Sequence, residues 1–130
     1  MSKVAEYFKE SAEKDWKTAK GLFNKVKRYD ACLFFCHLVL EKSLKYLIIQ
    51  KTGKLPPHSH KLLRLAKLAG LAPDENQSLK LNEINSFNIA CRYDDDKFSF
   101  YKKCTVKYAE KYLAITRELY LWVKKSYREK

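Results

Sequence analysis

One stretch constrains this chain more than any other. Residues 31–51 read as a helix that is apolar nearly all the way round. Ala31, Phe34, Phe35, Leu38, Leu44, Leu47 and Ile48 lie on one inward arc, and Leu33, Cys36 and Leu40 widen it. A helix of that kind is buried on nearly every side, so the rest of the chain has to cover it. Its longest unbroken apolar run, Ala31 to Cys36, stops at His37. That is far short of the ~20 apolar residues that cross a bilayer. Glu41 and Lys45 interrupt the helix at i,i+4, the favourable order for an intrahelical ion pair. Gly53 supplies its left-handed stop.

The cover is helical too. Residues 3–27 carry Val4, Tyr7, Phe8, Ala12, Ala19, Leu22, Phe23 and Val26 at three- and four-residue steps, with Asp15 inside the same stripe. Tyr29-Asp30 reads as the break, and Asp30 as the N-cap of the next helix. After a Lys54–Ser59 loop, a short helix is expected over about 60–70, ended by Gly70. A fourth is expected from Pro73-Asp74-Glu75 to about Ile89. Cys91 to Asp96 reads as a polar break. One last helix is expected from about Ser99 to Arg128, on a stripe of Cys104, Tyr108, Tyr112, Ile115, Leu119 and Trp122. The expected fold is all-α, an up-and-down four-helix bundle with one additional short helix, in a single domain over 1–130. Three glycines and three prolines cannot supply the turns of an all-β sandwich.

The net charge of +12 is unevenly spread. Residues 73–96 carry two bases and six acids, whereas 97–130 carry ten and three. The surplus on the remainder suits an anionic partner such as nucleotide or RNA, or is simply a lysine-rich solvated surface. The first residues hold no apolar signal core, so a cytoplasmic protein without membrane contact is expected. Cys32, Cys36, Cys91 and Cys104 form no C-x-x-C and read as reduced core thiols. Cys32, Cys36 and His37 cannot form a zinc site, because His37 points about 100° away from the cysteines' face. No metal and no cofactor are expected. Phosphate-cradling glycine loops, G-x-S-x-G, H-E-x-x-H and paired E-x-x-H motifs are all missing from the sequence.

The candidates for chemistry are polar residues in apolar places. Asp15, Glu41 and Lys45 interrupt buried faces, and Arg92 and Tyr93 precede the last helix. Buried charges must be paired. Asp15 with Lys45 or Arg92 as a structural pin is one reading. Lys45 and Arg92 holding a phosphate is the other. Either His58 or His60 caps the short helix, or one serves as a general base or phosphate contact. Asp94, Asp95 and Asp96 read as solvated acids at a helix N-terminus rather than metal ligands. Tyr101, Tyr108, Tyr112 and Tyr120 read as core and interface, with base stacking as the alternative.

Four segments in order resemble the HEPN domain (higher eukaryotes and prokaryotes nucleotide-binding). They are Ala12-Glu13-Lys14-Asp15-Trp16 with Ala19, and Tyr29 to Lys45, ending like the family's E-K-x-x-K. Then come Pro57-His58-Ser59-His60-Lys61-Leu62, like its P-x-x-H-x-L, and Phe87 to Asp94, like its A-R-Y-P-D segment. The resemblance implies a helical bundle, usually homodimeric, often working with a small nucleotidyltransferase as a toxin–antitoxin pair. Some members are metal-independent RNases with an R-x(4–6)-H motif. Here no histidine follows Arg92, and Asp94 stands where the family often has Pro.

The expected function is therefore a non-catalytic HEPN module. It would dimerise, bind nucleotide or RNA through a basic face, and partner a small nucleotidyltransferase. Its ligand contacts would be Arg92, Tyr93, Lys45 and His60, with Asp15 and Glu41 as a supporting polar network. Two alternatives stand beside it: a metal-independent RNase toxin using Arg92 and His60, and a helical scaffold with no nucleic-acid role.

Overall fold

The computed structural model describes residues 2–90 and 94–128, with the side chains of residues 94–96 outside that description. Among the described residues the regular structure is entirely helical: α1 (Lys3–Gly21, continued by a π-helical turn Leu22–Val26), α2 (Tyr29–Thr52), α3 (Leu62–Leu68), α4 (Glu75–Ala90), α5 (Asp94–Lys103) and α6 (Val106–Lys125).

The apolar helix sits where its composition requires. α2 contacts each of the other helices. Fourteen of its residues are buried, from Cys32 to Ile49, including His37, Glu41, Ser43 and Lys45. Alanines on α1 (Ala5, Ala12 and Ala19) let the two backbones approach closely. Lys42 on α2 reaches Ser11 and Asp15 on α1, while Tyr46 and Ile49 pack with Ala5. The late part of α2 thus meets the early part of α1, and the two run antiparallel. α6 runs alongside α2 in the same direction, since Thr116 lies at Cys36 and Tyr127 stacks on Tyr46 with centroids 4.7 Å apart. Phe87 of α4 closes the far side against Phe100, Tyr108 and Tyr112. The end of α6 is clasped to α2, where Gln50 donates to the Arg128 carbonyl and accepts from the Arg128 amide, both at 3.0 Å.

Helix ends follow local chemistry. Ser2 accepts from the Ala5 amide and caps α1. Asp74 and Gln77 bond each other's backbone amides at 2.7 and 3.0 Å, a reciprocal box that starts α4. Gly53 and Gly70 adopt φ of 71° and 82°, the left-handed stops expected of them.

Four boundaries differ from the sequence reading. The first break is at Lys27, φ 60°, not at Tyr29-Asp30. Asp30 does not cap α2; it lies in the first turn and pairs with Arg28 at 3.3 Å. The helix expected from about Ser99 starts earlier, at Asp94, so that Asp94–Asp96 stand at a helix N-terminus as expected, that of α5. The last helix is two: the Thr105 hydroxyl accepts from the Tyr108 amide and starts α6 afresh. Cys104 and Tyr108 lie four residues apart on the apolar stripe, so periodicity ran across this cap unnoticed. No helix among the described residues is long and apolar enough to cross a membrane.

Leu40 is completely buried in the shared core. Leu40→Ala should cost about 2–5 kcal/mol of stability, read as a lower urea midpoint with an unchanged far-ultraviolet spectrum before the transition.

Candidate functional site

The buried charges of α2 converge on Glu41. α2 places His37, Glu41 and Lys45 at successive i+4 positions, on one stripe. The loop after Gly53 returns along this stripe and brings His60 to it. Glu41 Oε2 accepts from Lys45 Nζ at 3.0 Å, and Oε1 lies 2.8 Å from His60 Nδ1 and 3.7 Å from His37 Nε2. Burial alone would push the Glu41 carboxyl up. Hydrogen bonds from His60 and Lys45, with the charges of Lys45 and His37, outweigh it and hold the carboxyl below its ordinary value.

An ionised carboxylate only accepts, so His60 donates to it from Nδ1. The His60 side chain is 52% exposed, whereas that of Glu41 is 8% exposed. The His60 carbonyl accepts from His37 Nε2–H at 3.1 Å, which fixes the loop to α2 a second time. Lys45 completes its surroundings over the Phe8 ring of α1, 5.9 Å from the centroid.

Asp15 belongs to a separate pair. Its carboxylate accepts from Lys42 Nζ at 2.7 Å, and Lys42 also donates to Ser11 at 2.7 Å. The expected pairing of Asp15 with Lys45 is thus wrong: Lys45 is committed to Glu41 within its own helix. Lys42 escaped the sequence reading because one lysine in a helix looks like any solvated one. The usable signal was Asp15 itself, which on an apolar stripe needs a cation from across the interface.

Neither His58 nor His60 caps α3. The Ser59 hydroxyl accepts from the Lys61 amide, and Asn85 Oδ1 on α4 accepts from the Leu62 amide at 2.8 Å. His58 is exposed. The tyrosines divide: Tyr112 and Tyr120 are buried, Tyr108 is half-buried against Phe87 and Tyr112, and Tyr101 is exposed. Burial pushes the Tyr120 hydroxyl up to about 12. Cys32, Cys36 and Cys104 are buried. Arg92, Tyr93 and Cys91 lie outside the described residues. Of the expected ligand set, Lys45 and His60 meet through Glu41.

Two surface depressions lie elsewhere. A cleft of about 600 Å³ between α3 and α4 is lined by Lys61, Arg64, Lys67, Asn82 and Asn85 over Leu63 and Leu68. A groove of about 470 Å³ between α1 and α6 is lined mainly by Trp16, Leu113, Ala114 and Leu121, with Lys20, Glu110, Arg117 and Glu118 at its sides.

The HEPN domain model matches residues 5–126, and the chain belongs to the HEPN domain family. Membership suggests a nucleotide- or RNA-related function. No curated protein and no solved structure matched.

Glu41→Gln removes a carboxylate that holds a buried lysine. The substitution should cost about 3 kcal/mol at neutral pH. Because the Glu41 carboxyl is held below 4.5, its contribution is complete above that pH and is lost as pH falls through the lowered value. Urea titrations from pH 7 to pH 3 should therefore show the gap between wild type and variant closing on the acid side.

Proposed function

We propose that this chain is a single-domain, non-catalytic HEPN module. It dimerises, binds nucleotide or RNA through its basic surface, and partners a small nucleotidyltransferase in a cytoplasmic toxin–antitoxin-like pair. The observation that carries this reading is the HEPN match over residues 5–126 in a chain of net charge +12. α1, α2, α4 and α6 are the four long helices of its up-and-down bundle, and α3 is the short one.

The buried polar residues support the non-catalytic part. Lys45 neutralises Glu41 inside the protein, and Lys42 does the same for Asp15, so both cations act as structural pins. No histidine follows Arg92 in the sequence, so a cation there has no proton acceptor at the family's RNase spacing. The α1–α6 groove suits the dimer: its walls carry both charge signs around apolar residues, and a two-fold contact requires a self-complementary patch. Leu121 is 46% exposed there.

One observation favours the RNase alternative. Glu41 holds His60 by Nδ1, and the His60 side chain is half-exposed, an arrangement that suits a general base. RNA incubated with the protein in chelator should remain intact under the main reading. Cleavage that is lost in His60→Ala would replace it with the RNase.

Affinity purification from native lysate, with and without nuclease, tests the partner. A nucleotidyltransferase should co-elute in equal amount and survive nuclease; its absence would remove that part of the reading. Light scattering should give twice the 15.4 kDa chain mass, reduced to the chain mass in Leu121→Asp.

A further inference from the structure

We infer that the α3–α4 cleft is the place where phosphate groups of a polynucleotide dock, with Arg64 as its central contact. This deepens the nucleotide- or RNA-binding reading above and rests on it. Lys61, Arg64 and Lys67 stand at three-residue steps along one wall, and Asn82 and Asn85 stand three residues apart on the other. Every polar side chain lining the cleft can donate a hydrogen bond, and none is a carboxylate.

The cations are uncommitted. Among the described residues, Lys61, Arg64 and Lys67 take part in no ion pair, unlike Lys42 and Lys45, which are tied to Asp15 and Glu41. This separates the cleft from the buried pins: its charges face outward and have nothing to neutralise within the fold. Arg64, the planar fork suited to two phosphate oxygens, sits between the two lysines.

The wall is also preformed. Asn85 Oδ1 accepts from the Leu62 amide, which fixes the amide plane and leaves Nδ2 as the donor. The same bond joins α4 to the start of α3 and so holds the two walls together. Lys61 and Lys67 are six residues apart, about 9 Å of helical rise, a span longer than one phosphate. That spacing favours successive phosphates of a strand over a lone group.

The test measures binding of a fluorescent single-stranded RNA 12-mer of uridines and of a fluorescent ATP, each over a range of salt. Three proteins are compared: wild type, Arg64→Glu with Lys67→Glu, and a control, Lys14→Glu with Lys17→Glu. Lys14 and Lys17 are exposed on α1. Each double variant lowers the net charge of +12 by four, two for each reversal. The cleft variant should bind the RNA about tenfold more weakly than the control. Its dependence of log affinity on log salt should flatten by about 0.7 for each phosphate that the variant no longer neutralises.

Should the reversed variant fail to fold, Arg64→Gln should still lose affinity, because Arg64 is exposed and its removal leaves the core intact. Equal losses in the cleft and control variants would overturn the cleft while leaving nucleic-acid binding in place. Tighter binding of ATP than RNA, abolished by the same cleft variant, would keep the phosphate site and assign it to free nucleotide. No binding of either probe by wild type would overturn the functional reading itself.

Discussion

Everything in this fold follows from the burial of α2 on all sides. A helix with one apolar stripe needs a single neighbour; α2 has apolar residues around most of its circumference and touches every other helix. The same burial decides the fate of its ions. A carboxylate at Glu41 cannot be left alone in such a place, and Lys45, His60 and His37 all approach it. The node is thus both a consequence of the core and a fastening within it. Through His60 and His37 it stitches the loop before α3 onto α2, and α3 then meets α4 through Asn85.

Much of this was legible in the residues. The apolar circumference of α2 and its stop at Gly53 depend on neighbouring positions, and local patterns carry them. Gly70 and the Pro73-Asp74-Glu75 start were readable for the same reason. The i,i+4 spacing of Glu41 and Lys45 named its own pair. What failed was long range or concealed by the core. The choice of Lys42 over Lys45 for Asp15 depends on how two helices are registered, which no local pattern states. The approach of His60 to Glu41 depends on the path of the intervening loop. Thr105 was hidden by a stripe that continues across it, and Lys27 carries a left-handed conformation without being glycine.

The cations fall into three groups. Lys42 and Lys45 are withdrawn between helices and matched to carboxylates. A further group is spent over rings, as with Lys102 on Phe98 at 4.3 Å and Lys124 on Tyr120 at 4.2 Å. Net charge alone therefore does not say which cations a ligand can reach. The relevant set is the exposed cations committed to neither kind of internal partner, and Lys61, Arg64 and Lys67 belong to it. The family assignment and the electrostatics then address different matters. One concerns the class of ligand, the other where on the surface such a ligand finds unclaimed donors.

The π-helical turn at Leu22–Val26 bears on how sequences of this kind can change length. A π turn bonds each amide to the carbonyl five residues back and so holds one residue more than an α turn closed by the residue four back. Phe23 within this turn and Tyr29 at the head of α2 bring their rings to 5.6 Å apart. Deleting one residue between them can be absorbed by relaxing the π turn into an ordinary α turn. The same deletion inside α2 would turn every later side chain by about 100° and scatter the buried stripe. The chain's room for losing a residue thus lies at this elbow, a few residues from the helix that has none.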